Sequence, residues 1–428
     1  MQVHLKTLGC RLNEAELETW AQAFQQAGHS ITLHAETAQL IVLNSCAVTQ
    51  DAARKSRQLI RRIHRDNPQA KLIVSGCYAT LNQQEAESLL GVDLVVSNKD
   101  KDQLVAKALT ELNMNTMPVM STEPAEISLF TRGRQRAFVK VQDGCRYRCT
   151  FCIVTVARGE ESSRSIQAVI EEINALHKQG INEVILTGVH LGGYGSDTDN
   201  NLSDLIKAIL TDTAIPRLRL GSLEPWELPT DFFQLFDNPR LMPHLHLPLQ
   251  SGSDSVLRRM ARRCKSEEFS AIVEQLRTKI PHFNITTDII VGFPAESEQE
   301  WQDSFNTIQH ISFGHIHIFT YSSREGTKAA TLPEQISNDI KKHRSQQLHE
   351  LAHTMKQQFC RDNLGKVFPV LWEGYSETLD NGKQRIFGYT PNYLRVACVI
   401  DADNSMENQI IDTRLIAVED GFIVGELC

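Results

Sequence analysis

The sequence predicts an α/β chain in three parts: an N-terminal open parallel sheet, a central partial (β/α)6 barrel and a small C-terminal antiparallel β-barrel. Three observations predict it. Apolar runs of strand length alternate with amphipathic helical patterns from the start of the chain to about residue 320, the rhythm of parallel strands joined by covering helices. A mixed polar stretch over residues 113–126, with Pro118 and Pro124, breaks that rhythm and reads as a linker. Beyond about residue 363 the helical patterns stop, and short apolar runs are separated by Asp-Asn-Gly, Pro-Asn and Asp-Gly turns. The expected domains are residues 1–120, 130–361 and 363–428.

Length and composition set the outer bounds. At 428 residues the chain is too long for one core. Its hydrophobic content of 41% is that of a soluble globular protein, and no apolar run reaches membrane-spanning length. The start, Met-Gln-Val-His-Leu-Lys, begins a strand and not a signal peptide. A cytoplasmic protein with no membrane partner is expected, in which ten cysteines stay reduced and serve as ligands or buried thiols. The net charge of −8 excludes indiscriminate coating of nucleic acid, so any RNA must be held by local basic patches.

In the N-terminal part, strands are expected over 3–8, 40–43, 71–74 and 94–96, with helices over 13–27, 51–66 and 83–90. Three of the strands end alike, in Leu8-Gly9-Cys10, Asn44-Ser45-Cys46 and Ser75-Gly76-Cys77. Right-handed crossovers bring the carboxyl ends of parallel strands to one edge of a sheet, where ligands of open α/β sheets bind. Cys10, Cys46 and Cys77 can thus converge into a three-thiolate site; the alternative is three small buried residues. The helix over 51–66 carries Arg54, Lys55, Arg57, Arg61, Arg62 and Arg65. On a net acidic chain this reads either as a phosphate-facing surface or as a solvated face.

The central part opens on a strand over 137–141 that runs into Gly144-Cys145-Arg-Tyr-Arg-Cys149-Thr-Phe151-Cys152. Three thiols in one loop can hold one metal centre and leave its fourth position open; thiolates suit zinc or an iron-sulfur cluster. A structural zinc site would want a fourth Cys or His nearby, so an open cluster is favoured. Strands over 183–187, 218–220, 244–247, 285–291 and 315–320 follow, interleaved with helices over 165–179, 202–211, 267–278 and 298–310. Chemistry in such barrels gathers at the carboxyl ends of the strands, here Thr187-Gly188-Val189-His190, Ser222-Leu223-Glu224-Pro225, Pro248-Leu249-Gln250-Ser251-Gly252 and Val291-Gly292-Phe293-Pro294. Small residues there let a cofactor approach the backbone, and Glu224 or Gln250 can accept hydrogen bonds from a ribose or serve as ordinary loop polar groups. Gly192-Gly193-Tyr194-Gly195 lacks the lysine of a P-loop and reads as a turn. The basic run from Arg258 to Lys265 is either an RNA-facing edge or a solvated helix. Cys264, Cys360, Cys398 and Cys428 lack partners at ligand spacing and read as structural or incidental.

The CxxxCxxC loop with Phe151 before its third cysteine resembles the signature of the radical S-adenosylmethionine (SAM) enzymes. Together with Gly9-Cys10-Arg11-Leu12-Asn13, Asn44-Ser45-Cys46-Ala47-Val48-Thr49 and Ser75-Gly76-Cys77-Tyr78-Ala79, it resembles the methylthiotransferase family within that superfamily, over essentially the whole chain. The Gly-Cys-Arg-Leu-Asn and Cys-Ala-Val-Thr versions look like the subgroup acting on threonylcarbamoyladenosine in tRNA. The resemblance implies a SAM-cleaving 4Fe-4S cluster on Cys145, Cys149 and Cys152, an auxiliary 4Fe-4S cluster on Cys10, Cys46 and Cys77, and SAM contacts among Phe151, Gly188, Glu224, Gln250 and Ser251. It also implies partners: the tRNA anticodon loop, an electron donor such as a flavodoxin or ferredoxin, and a sulfur donor. One departure is Thr155, where the family often has proline, which predicts a slightly looser loop.

A helix over 337–361 leads out of the barrel. The segment Gly388-Tyr389-Thr390-Pro391-Asn392-Tyr393-Leu394-Arg395-Val396 resembles the TRAM domain with which family members grip RNA. Residues 363–428 carry only five basic against ten acidic side chains. An RNA surface there is confined to Lys383, Arg385, Tyr389, Tyr393 and Arg395, with the aromatics stacking on unpaired bases; the alternative is a purely structural barrel. With Arg54, Arg57, Arg61 and Arg62 these are the candidate RNA contacts.

By resemblance, a 5′-deoxyadenosyl radical takes hydrogen from carbon 2 of the modified adenine at position 37, and a methylthio group built with a second SAM joins that carbon. Carbon 2 is inert to polar chemistry, which is why a radical cofactor is needed. Two rivals stay open. One is the same chemistry on isopentenyladenosine or a ribosomal protein; the other is a non-catalytic iron-sulfur protein that binds tRNA and relays electrons.

Overall fold

The computed structural model describes residues 1–112, 135–229, 231–419 and 421–428; the expected linker over 113–126 lies outside them. In the N-terminal domain β1 (Gln2–Thr7), β2 (Ser30–Ile31), β3 (Leu40–Ser45), β4 (Lys71–Gly76) and β5 (Leu94–Val96) form an all-parallel sheet in the order β2-β1-β3-β4-β5. Successive side chains of β3 point to opposite faces. Leu40 and Val42 pack with α1 (Arg11–Gln26) on one face, whereas Ile41 and Leu43 pack with α2 (Gln50–Asp66), α3 (Cys77–Leu81) and α4 (Gln83–Ser88) on the other. Burial on both faces explains an unbroken apolar run. Helix α5 (Leu104–Glu111) also covers the first face. The short α3 was not foreseen, because five residues are too few to show a helical period.

The central domain contains β6 (Arg136–Lys140), the short hairpin of β7 (Gln142–Asp143) and β8 (Ser162–Ser163), then β9 (Glu183–Thr187), β10 (Arg217–Leu220), β11 (His244–His246), β12 (Asn284–Val291) and β13 (His315–Thr320). Two parallel three-stranded sheets, β6-β9-β10 and β11-β12-β13, are joined by the parallel bridges Leu218↔Leu241 and Ser222↔His246. Six strands therefore curve as one open barrel with β6 and β13 at its two edges. Outward side chains such as Val184, Leu186, Leu218, Leu220, Ile285 and Ile316 share one large core with the helices. Helix α6 (Val154–Arg158) instead packs Ala157 into the N-terminal core, and the helices that share the large core are α7 (Ile166–Lys178), α8 (Leu202–Asp212), α9 (Asp254–Arg259), α10 (Ser266–Lys279), α11 (Glu298–Ile311) and α12 (Asn338–Arg361). The alternate set, including Phe138, Ile185, Arg219, His246, Asp288 and His317, faces the lumen. Ala15 of α1 packs on Phe138 and Ile185, so the N-terminal domain lies across this lumen side.

The C-terminal domain is a closed barrel of β14 (Val367–Thr378), β15 (Gln384–Tyr389), β16 (Arg395–Ile400), β17 (Ile410–Glu419) and β18 (Phe422–Leu427), in the order β14-β15-β16-β18-β17. It is not wholly antiparallel: β16 and β18 pair parallel. A ring of five strands cannot alternate direction at every neighbour, so one seam must be parallel. Among the described residues no helix is long and apolar enough to cross a membrane.

This barrel docks on the amino-terminal ends of the central strands. The Arg219 guanidinium lies 4.3 Å from the Tyr393 ring and donates to the Pro391 carbonyl at 3.1 Å; the Arg136 guanidinium lies 4.4 Å from the Tyr389 ring. Tyr389 and Tyr393 also stack on each other at 5.1 Å. Both rings, expected to stack on unpaired bases, thus make contacts at the domain junction. Beneath them the fully buried Glu183 accepts two bonds from Arg219, at 3.1 and 3.2 Å. Burial alone would push the Glu183 carboxyl up, but Arg219, Arg136 and Arg217 outweigh it and hold the group at about 2. A depressed carboxyl contributes stability that is present above its unfolded value near 4.5 and is lost as pH falls towards 2. Glu183→Gln is expected to cost about 3–5 kcal/mol at neutral pH and to flatten the acid limb of thermal stability, as measured by melting scans from pH 7 to 3. Equal acid limbs in both proteins would refute this role.

Candidate active site

The predicted cysteines fall into two groups at the carboxyl ends of strands. Cys10 caps α1 just beyond β1, Cys46 follows β3, and Cys77 opens α3 directly after β4. These three strands are adjacent in the sheet, which brings residues far apart in sequence to one edge. Polar side chains shape the site. Asn13 donates to the carbonyls of Leu8 at 3.0 Å and Ser45 at 3.4 Å, and the Ser56 hydroxyl donates to the Cys46 carbonyl at 2.8 Å. Asn98 Nδ2 lies 3.8 Å from Cys77 Sγ. Gly9 has φ +129°, and a Cβ there would lie 3.2 Å from Cys46 Sγ, so glycine keeps this thiol's space open.

The second group sits in the loop after β7. Gly144 has φ +72°, and a Cβ there would meet the Glu160 carbonyl oxygen at 1.8 Å. Only glycine lets the loop turn so close to the strand that returns as β8. The Cys145 amide donates to Gly159 O at 3.2 Å, the Cys152 amide to Cys149 O at 3.0 Å, and the Thr150 hydroxyl to Arg259 O at 2.8 Å. The Thr155 hydroxyl donates to the Tyr147 carbonyl at 2.8 Å. The threonine that stands where the family often has proline thus ties the loop to α6 by a hydrogen bond. Glu161 accepts from the Arg146 amide at 3.0 Å and pairs with His190 Nδ1 at 2.6 Å, bracing the loop beside Cys145.

Both groups suit a thiolate-ligated cluster. Burial pushes Cys145 up to about 12 and Cys46 and Cys152 to about 11, so these thiols are neutral at pH 7 until a metal displaces their protons. Each group is paired with a buried arginine that offsets the negative charge of bound thiolates. Arg262 Nη1 lies 3.9 Å from Cys149 Sγ, and Arg158 interacts electrostatically with Cys10, Cys46 and Cys77. The donor chemistry and the paired cations fit two iron-sulfur clusters.

Sequence reasoning missed these arginines and the network around them. Arg158 donates to Glu16 Oε1 at 2.8 Å, Asn13 Oδ1 at 2.9 Å and Asp143 Oδ1 at 3.2 Å. Lys101 donates to Glu16 at 2.7 Å and also pairs with Asp143. Burial would raise the Glu16 carboxyl, but Arg158, Lys101 and Lys140 hold it at about 2. The five-residue helix α6 therefore links the two sites, running from the loop of Cys152 to Arg158. That is an axial length of about 7.5 Å.

The candidate SAM contacts gather at the same end of the barrel. Glu224 Oε2 accepts from Arg262 at 2.6 Å, which places its carboxylate beside Cys149. Phe151 packs against the cluster of Val256, Met260, Phe293 and Tyr321. Gly188 lies just beyond β9 against Gln142, while Gln250, at φ +72°, and the buried Ser251 lie beyond β11. The candidate RNA contacts are scattered. Arg61 and Arg62 are exposed on α2; Arg54 is paired with Asp51, and Arg57 lies 3.5 Å from Glu85. Arg385 lies 3.4 Å from Glu377, and the Arg395 guanidinium covers the Phe387 ring at 4.1 Å, both in the C-terminal barrel beyond the opposite end of the central strands. Cys264, Cys360 and Cys398 are buried and Cys428 is exposed.

Residues 2–97 match the family described as Uncharacterized protein family UPF0004, and residues 139–308 match the Radical SAM superfamily. Relatives named threonylcarbamoyladenosine tRNA methylthiotransferase MtaB are similar along the chain. That of Bacillus subtilis is 34% identical over 97% of this chain and 93% of its own, and that of Thermotoga maritima 36% over 87% of each. A Wolbachia pipientis relative named tRNA-2-methylthio-N(6)-dimethylallyladenosine synthase is 28% identical over 99% of each chain. Among solved structures, the radical SAM methyltransferase TsrM from Kitasatospora setae shares the fold, with a TM-score of 0.59 over 77% of each chain at 14% identity. With thiol sites that suit iron-sulfur clusters and relatives similar over nearly its whole length, the chain belongs to the radical SAM tRNA methylthiotransferases, enzymes that work with SAM and 4Fe-4S clusters.

Proposed function

We propose that this enzyme methylthiolates carbon 2 of N6-threonylcarbamoyladenosine at position 37 of tRNA, consuming two SAM molecules. The observation that carries this reading is the link between two three-cysteine sites through the single short helix α6. Bound clusters and SAM supply a carbon radical at one site and a methylated sulfur at the other. The chain's own groups hold and separate these functions. Cys145, Cys149 and Cys152 hold the first cluster with Arg262 beside it, and Cys10, Cys46 and Cys77 hold the second with Arg158 beside it. Glu224, fixed by Arg262 through Oε2, can accept a hydrogen bond from the SAM ribose through its other oxygen; Gln250 and Ser251 add polar groups at the next strand end.

The anticodon loop is single-stranded, so its base enters the lumen without breaking a duplex. The exposed Arg61 and Arg62 on α2 lie on the domain that carries the second site, and they suit phosphates of the same RNA. Arg61→Glu with Arg62→Glu is expected to weaken tRNA binding and to reduce the slope of log affinity against log salt by about 2, roughly one per lost phosphate contact. A gel-shift titration at several salt concentrations measures it, and an unchanged slope would show the patch to be only surface.

The substrate assignment follows the relatives named for threonylcarbamoyladenosine. The relatives named for dimethylallyladenosine define the competing reading, the same chemistry on another nucleoside. Mass spectrometry of nucleosides from digested tRNA decides, using a strain without the gene and the strain complemented with wild type or Cys149→Ala. Loss of 2-methylthio-threonylcarbamoyladenosine, restored by wild type alone, supports the proposal. Loss of the dimethylallyl product instead would move the substrate but keep the chemistry. No change in either would direct attention to a ribosomal protein.

A further inference from the structure

Arg11 stands beside the second cysteine site, at the mouth of the barrel. It follows Cys10 directly, so its Cα is about 3.8 Å from that of a second-site cysteine. Its guanidinium carbon lies 5.0 Å from the centre of the Phe138 ring, on edge strand β6, and its charge acts on His317 of the opposite edge strand β13. Arg11 therefore spans the opening of the barrel, between the second cysteine site and the lumen.

Several other cations around this space are committed, whereas Arg324, whose charge acts on Cys46, has a buried Nε without a hydrogen-bond partner among the described residues. Arg158, Lys101 and Lys140 share Glu16 and Asp143, Arg262 holds Glu224, and Arg219 holds Glu183. Besides its contact with the Phe138 ring, Arg11 hydrogen-bonds only to Glu14 among the described residues, through Nη1 alone at 3.3–3.4 Å, in an exposed pair that a stronger anion displaces at little cost. Its Nε and Nη2 make no hydrogen bond among the described residues, and its side chain is 62% exposed.

The chemistry of the substrate proposed above supplies the missing anion. A threonylcarbamoyl group ends in a carboxylate and is carried on N6, and carbons 2 and 6 of adenine flank the same ring nitrogen. A base that presents carbon 2 to the site of Cys10 keeps its N6 substituent within a side chain's reach of the next residue. A planar guanidinium matches a carboxylate through two parallel bonds. A dimethylallyl group offers it nothing and would leave the cation facing an apolar chain. We propose that Arg11 is the specificity-determining residue that receives the threonyl carboxylate of the nucleoside at position 37. This assignment rests on the function proposed above.

The test uses the full-length enzyme with both clusters loaded, and anticodon stem-loops that carry threonylcarbamoyladenosine, its methyl ester or dimethylallyladenosine. Arg11→Gln is expected to lower kcat/KM for the acid about 10- to 100-fold, with Arg11→Lys recovering part of the loss. Iron content and SAM cleavage without RNA should stay at wild-type levels. Esterifying the substrate should cost the wild type a similar factor but leave Arg11→Gln nearly indifferent, because the two changes remove one interaction. Equal losses by Arg11→Gln on acid and ester would overturn the proposal and point to a phosphate contact or to support of the Cys10 site. No loss on the acid would overturn it outright. A wild type inactive on the threonylcarbamoyl stem-loop but active on the dimethylallyl one would instead overturn the proposed substrate, and the role of Arg11 with it.

Discussion

Cys149→Ala is expected to reduce SAM cleavage to background and to abolish every methylthiolated product, whereas Cys46→Ala should keep SAM cleavage near wild type and lose only the product. Both thiols belong to three-cysteine groups, so removing one leaves two ligands for a cluster that needs three. The groups lie on different scaffolds: Cys149 in the loop after β7, beside Arg262, and Cys46 at the end of β3, hydrogen-bonded through its backbone to Ser56. Each substitution should lower iron from about eight to about four atoms per chain. Iron analysis, chromatography of 5′-deoxyadenosine and nucleoside mass spectrometry measure the three effects. A Cys46→Ala protein with full iron and full product would refute a cluster at the N-terminal site.

Arg158→Ala should be the most damaging single change outside the cysteines. The guanidinium is buried between two domains, and its loss leaves Glu16 and Asp143 to Lys101 and Lys140 alone. Breaking a buried ion pair costs about 3–5 kcal/mol. A chain of several domains need not unfold in one step, so the loss should appear as an early separate transition and as faster proteolysis of the N-terminal domain. The same change removes the cation beside Cys10, Cys46 and Cys77 and should deplete the iron of that site while sparing that of Cys145, Cys149 and Cys152. Arg158→Lys keeps the charge but not the forked geometry, so it should retain more iron without recovering full stability. If Arg158→Ala unfolds like wild type and keeps all its iron, the network is not what joins the domains.

The six cysteines and the strand ends that carry them were legible because their chemistry is local. Thiol spacing within a loop, and the same strand-end pattern met three times, can be read without knowing the fold. Arg158 could not be read this way, since its partner Asn13 is 145 residues distant and nothing near Arg158 distinguishes it from a solvated helical arginine. Arg262 lay inside a basic run that looked like an RNA edge, yet it turns inward to Glu224 and Cys149, 113 residues away in the latter case. Tyr389 and Tyr393 had the composition of a base-stacking surface. Their rings also meet Arg136 and Arg219 of the central domain, contacts that no pattern within the last domain announces.

Hydrophobic period, cysteine spacing and glycine placement are properties of short segments, and they determined the three domains, the two thiol sites and the edge of each sheet that carries them. The pairing of each thiol site with its own arginine, the joining of the two sites through α6 and the docking of the C-terminal barrel on the far end of the lumen were decided by the tertiary structure alone. Buried charges are costly to leave unpaired, so their positions follow from which elements meet in space, and that is set by the packing of whole domains.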